Sequence, residues 1–223
     1  MATNKLMPKS DNALEKLRYM GGDDKIRLMR QIASEQPQYQ ELADYLMARS
    51  AMPPVKEGYL PEGTNAQYSR NGFLSRELPE TGEVTINYNA NDPNSLIHEL
   101  THAAHYQMGR QYRQEGAKDV EAKQRFKDAF DRLLRTNQQG AGGMFAAPTV
   151  FQTEAMASRL APDWVKQNSR YRASASELPA FAMGNQGARG APAHVDPTLS
   201  TEFRVLLDMA LRDAQANPYK TTR

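Results

Sequence analysis

The sequence predicts an α+β fold, helix-rich with a small, mostly antiparallel sheet, and three observations predict it. Residues 83–89 alternate Val84, Ile86 and Tyr88 against Glu83, Thr85 and Asn87, the two-residue period of a strand with unlike faces. Apolar residues at helical spacing fill 10–50 and most of the chain after Leu96. Between these helical regions, 51–82 is crowded with turn formers: Pro53-Pro54, Gly58, Pro61, Gly63, Asn71-Gly72, Pro79 and Gly82. The expected organisation is an N-terminal helical extension over 1–56, a main domain over 57–216 and a tail over 217–223.

In the first helix Leu14, Leu17 and Met20 share a face, and Gly21-Gly22 ends it. Asp23 or Asp24 is placed to cap a second helix that turns Ile26, Met29, Ile32 and Ala33 inward. Pro37 suits the first turn of a third, which buries Leu42, Tyr45 and Leu46. Short strands are expected at 66–69 and 72–74 before the main strand. The polar run 89–95 then breaks the strand and offers helix caps. One helix starts near 93–95 and passes His105 to about Gly109 or Gly116. Another spans 118–134 with Phe126, Phe130, Leu133 and Leu134 on one side. Further helices are expected at 151–160, ended by Pro162, and at 178–183. The loops 137–143 and 184–190 are rich in glycine. Ser200 or Thr201 caps a last helix with Phe203, Leu206, Leu207 and Ala210 inward. No internal repeat is present.

Composition narrows the function. At 223 residues the chain suits one domain, or one domain with a helical arm, large enough to bury its own core. Hydrophobic residues make up 39% and the mean hydropathy is −0.73. No run approaches the ~20 apolar residues that span a bilayer, so no membrane span is expected. Lysine plus arginine (28) nearly balances aspartate plus glutamate (26), so no nucleic-acid partner is expected. The absence of cysteine excludes disulfides, a thiol nucleophile and thiolate metal sites. The first residues contain no apolar core of a signal peptide, which makes a cytoplasmic location the expectation.

The chemistry concentrates at His98-Glu99-Leu100-Thr101-His102-Ala103-Ala104-His105, which holds three of the chain's four histidines. Residues four apart on a helix lie one turn apart on one face, so His98 and His102 can aim two imidazoles at one point. That arrangement suits a zinc ion about 2.0–2.1 Å from each nitrogen. Glu99 is rotated roughly 100° from His98, away from the shared ligand direction but within reach of a water at the metal. Leu96, Ile97 and Leu100 should face away and anchor the helix, and Ala103 and Ala104 permit close packing.

His98-Glu-Leu-Thr-His102 after a strand resembles the active-site helix of the zincin metallopeptidases, most closely over 83–109. The resemblance implies one catalytic zinc bound by His98 and His102, with Glu99 activating the zinc-bound water for peptide-bond hydrolysis. It also implies that the strand before this helix is an edge strand, so that 83–89 holds a peptide or protein substrate by β-augmentation.

A catalytic zinc takes three protein ligands and keeps one open position. His105 lies roughly 7 Å further along the helix axis than the His98–His102 pair, which assigns it to packing or to the pocket wall. In gluzincins the third ligand is a glutamate from a later helix. Glu177, in Ser-Ala-Ser-Glu177-Leu-Pro-Ala-Phe-Ala182, resembles that segment, with Glu154 in Thr-Glu-Ala-Met-Ala as the alternative. Ser174 and Glu177 are also spaced as a capping box. Tyr106, Tyr171, Arg172 and His194 are candidate donors to the oxyanion.

A second reading belongs to another class. Small zincin-like domains are common in bacteriophages and mobile elements, some as virion components. On this reading the chain is a structural or interaction protein that keeps the fold, virion-associated, with vestigial or partner-gated activity. Its N- and C-terminal helices would dock to other protein subunits.

Overall fold

The computed structural model describes residues 10–62, 64–69, 81–114, 121, 124–129, 177–184 and 197–216. In chain order these form α1 (Ser10–Leu17), α2 (Gly22–Ala33), α3 (Pro37–Ala48), β1 (Val55–Gly58), β2 (Ala66–Ser69), β3 (Glu83–Asn87) and α4 (Asn94–Gly109). A π-helical turn, Arg110–Gln114, continues α4; then come α5 (Glu177–Gly184) and α6 (Pro197–Ala216). Residue 121 and residues 124–129 are also helical, with Phe126 buried. The expected strand at 72–74, the helix at 151–160 and both glycine-rich loops lie outside the described residues.

The class is α+β, and the sheet has the order β1-β3-β2. Two expectations are corrected. β3 pairs parallel with β1 (Val55↔Val84 to Gly58↔Asn87) and antiparallel with β2 (Ala66↔Ile86 to Ser69↔Glu83), so the sheet is mixed. The strand before α4 is therefore central, with both of its edges occupied. Alternation of Val84 and Ile86 with polar neighbours reports which face is buried, and it carries no information about edges.

The parallel pair is pinned by a residue that helical periodicity does not single out. Lys25 on α2 is fully buried, and its Nζ donates to Glu57 Oε1 (3.0 Å), Asn87 O (3.1 Å) and Tyr88 O (2.6 Å). One ammonium thus joins α2 to the C-terminal ends of both β1 and β3. Glu57 Oε2 also accepts the Gly22 N–H, tying the start of α2 to β1. Gly22 has φ +63 and Gly21 is the N-cap, so Asp23 and Asp24 occupy the first turn instead of capping it. There their charges complement the helix dipole. Lys25→Met is expected to cost about 3–5 kcal/mol, because Glu57 is left as an uncompensated buried charge. Urea unfolding checks this, and adding Glu57→Gln should restore part of the loss.

The helices before β1 share one core with the rest. Leu17, Met29, Leu42 and Leu46 join Ile86, Leu96, Ile97, Leu100 and Phe203 in a single buried cluster. The expected boundary at 56/57 falls inside β1, and α1–α3 contribute to the same buried cluster as the residues after it. Periodicity shows that a helix has an apolar face; what covers that face depends on the tertiary packing. Across α3 and α6, Arg204 holds Glu41 with both its Nε and a terminal nitrogen. Tyr45 OH donates to Gln111 Oε1 (2.8 Å), whose amide nitrogen donates to Ala210 O (3.0 Å). Burial and the hydrogen bond to Asp213 push the Tyr112 phenol well above its usual range. These links fix the C-terminal end of α4 between α3 and α6. Helix α6 begins at Pro197, three residues before the expected cap, which uses proline at a first-turn position.

Candidate metal centre

Helix α4 begins where Asp92 accepts the Asn94 N–H (3.0 Å) and carries His98, His102 and His105 on its second, third and fourth turns. Leu96, Ile97 and Leu100 are buried on one side, and Thr101 satisfies its hydroxyl on Ile97 O (2.8 Å). With that face anchored, the helical period turns His98 and His102 to the opposite side and leaves Glu99 on the flank between them and Leu96.

The two imidazoles meet. His98 Nε2 lies 3.2 Å from His102 Nε2, with ring centroids 4.9 Å apart and planes at 76°. Two nitrogens bound tetrahedrally at 2.0–2.1 Å to one zinc ion are about 3.3 Å apart, so the pair fits that ion without moving either ring far. The same spacing allows one neutral ring to donate Nε2–H to the other. Among the described residues, no three His, Asp or Glu side chains are grouped to hold a metal. His105 instead places its ring 6.4 Å from Phe203 on α6, in keeping with the packing role that its distance along the axis assigns it.

Helix α5 supports the pair. Phe181 sets its ring edge-on to His98, with centroids 4.6 Å apart and planes at 66°. One turn later, Gly184 brings α5 against the start of α4. A Cβ there would meet Asn94 O at 2.9 Å and the His98 Cβ at 3.0 Å, so only glycine allows this approach. Ala180 and Ala182 are buried beside it, the small-residue pattern that lets two helices pack closely. Glu177 is the first residue of α5, and its side chain lies outside the described residues, as do Glu154, Tyr171, Arg172 and His194.

Glu99 is turned toward the sheet. It is 7% exposed, and its Oε2 accepts the backbone N–H of Tyr68 on β2 at 2.7 Å. This corrects the expected substrate strand: β3 has no free edge to offer, and among the described residues β2 is the outer strand beside α4. Neither Tyr68 nor Phe181 is evident as a site residue in the sequence. The first contributes through its backbone. The second is set by how two distant helices slide together, and Phe181 falling four residues after Glu177 is its one local signal.

Comparison of this chain with protein-family models, curated proteins and solved structures finds no match. Among the described residues, no helix is long and apolar enough to cross a membrane.

Proposed function

We propose that this chain is a zinc-dependent peptidase or amidase of the zincin-like type, acting on the backbone of an extended peptide. The convergence of His98 Nε2 and His102 Nε2 at 3.2 Å, with Glu99 one step round the helix, carries the reading. His98 and His102 hold the cation through Nε2, and Glu177 is the assigned third ligand, with Glu154 the alternative. Support for Glu177 is that α5, which it begins, packs on α4 at His98. When bound, zinc supplies Lewis acidity that polarises a carbonyl and makes water more acidic. Glu99 takes the proton from the attacking water on its carboxylate and passes it to the leaving amine nitrogen. β2, whose backbone Glu99 touches at Tyr68, is the strand that would hold an extended peptide by its backbone.

The second reading, a zincin-like interaction protein, draws on exposed aromatics. Tyr19 and Tyr59 are each 84% exposed and Tyr88 is 58% exposed, surface that an assembly partner would cover. Metal analysis and proteolysis separate the two. The peptidase reading expects about one zinc per purified chain. It also expects cleavage of an unfolded protein substrate that a chelator abolishes and added zinc restores. Zinc without cleavage favours the interaction protein; a chain that binds no zinc overturns the metal centre itself.

A further inference from the structure

Glu99 can act as a base only if its carboxylate is held in place, a role that rests on the peptidase reading above. We infer that Tyr68 is the positioning residue for Glu99. Its backbone N–H holds the carboxylate, while its side chain clamps strand β2 so that the donor stays in place.

Strand parity supplies the first part. Asn87 N–H donates to Asn65 O (2.8 Å), so residues 65, 67 and 69 direct their backbone groups at β3. Ala66 and Tyr68 therefore direct theirs off the outer edge. Glu99 takes the Tyr68 N–H at 2.7 Å, within the range of a charge-assisted bond. A nearly buried carboxylate is costly without donors, and a backbone donor fixed by a sheet has no side-chain rotamers to restrict.

The clamp supplies the second part. Tyr68 OH donates to Thr81 O (2.9 Å), in the turn that leads into β3. Its ring lies over Gly82, where a Cβ would approach ring atoms to 2.6 Å and where φ is +71. Glycine at 82 thus gives the ring its seat and the turn its conformation. With the ring held there, β2 is fixed opposite Val84. A slip of one residue would set a neighbouring residue's N–H against Glu99 and take the Tyr68 ring off its seat on Gly82.

Two measurements on the full chain test this. By amide exchange in the 15N-labelled protein, Glu99→Ala is expected to speed exchange at Tyr68 at least about tenfold, while Gln67 and Ser69, which pair with β3, keep their protection. Glu99→Gln retains an acceptor oxygen and should hold most of the Tyr68 protection. Unchanged exchange at Tyr68 in Glu99→Ala overturns the inference. In the second measurement the residue at 68 is replaced by the matching α-hydroxy acid, which deletes the N–H, weakens the Gln67 carbonyl as an acceptor and keeps the phenol. The expected result is a fall in kcat of about tenfold or more, with zinc content unchanged. The same replacement at the exposed Tyr59 should leave kcat alone. A kcat within about twofold of the unmodified chain overturns the positioning role, as does loss of zinc, which would tie Tyr68 to the metal site's fold instead. If the unmodified chain hydrolyses no peptide, the proposed function fails, and the exchange measurement still decides the contact.

Discussion

Glu99→Gln is expected to lower kcat by about a hundred- to ten-thousand-fold, with the zinc content and the fold unchanged. The substitution is nearly isosteric, and the amide oxygen can still accept the Tyr68 N–H, so the geometry that places the side chain persists. What disappears is basicity. An amide cannot take the proton from the attacking water, and nothing then delivers one to the leaving nitrogen. The loss corresponds to about 3–5 kcal/mol of barrier and should fall on kcat, with KM little changed. Steady-state kinetics on a peptide, with metal analysis of the same sample, check it. Retention of most of the activity would remove Glu99 from the reaction and with it the proposed mechanism.

His98→Ala tests the other half of the site, and a different quantity should change. Zinc affinity is expected to fall at least about a hundredfold, since one of the few ligands that hold the ion is gone. The variant also loses the ring that Phe181 packs against, so a gap opens between α4 and α5 at a cost of about 1–3 kcal/mol. Thermal unfolding separates the two effects. Zinc at a hundred times its Kd should stabilise the native chain by about 2.7 kcal/mol and raise its Tm. Glu99→Gln should keep that rise. His98→Ala should lack it and start from a lower Tm without metal. An equal zinc-induced rise in His98→Ala and the native chain would show that the ion binds elsewhere.

Much of this architecture is legible before folding is considered. The inward faces of α2, α3 and α6 follow from the spacing of Met29, Leu42, Leu46, Phe203 and Leu207, all buried as the period requires. The convergence of His98 and His102 follows from four residues being about one helical turn, provided the segment is helical, which Asp92 and the anchoring Leu96, Ile97 and Leu100 ensure. Each of these statements needs only neighbours a few residues away, and local backbone geometry relates such neighbours rigidly.

Contacts between distant segments are another matter. That 83–87 is the central strand depends on β1 and β2 arriving on either side of it. The parallel arrival of β1 is stabilised by Lys25, a charged residue whose burial makes sense only beside Glu57 and two strand-end carbonyls. That Glu99 meets Tyr68 depends on which backbone groups of β2 face outward, a matter of register. That Phe181 meets His98 depends on Gly184 letting α5 close onto α4. Helix and strand periods therefore dictated which side chains share a face. Packing settled which partner each face meets, because hydrogen bonds and ring contacts across 30 to 80 residues of chain leave no periodic trace in the sequence.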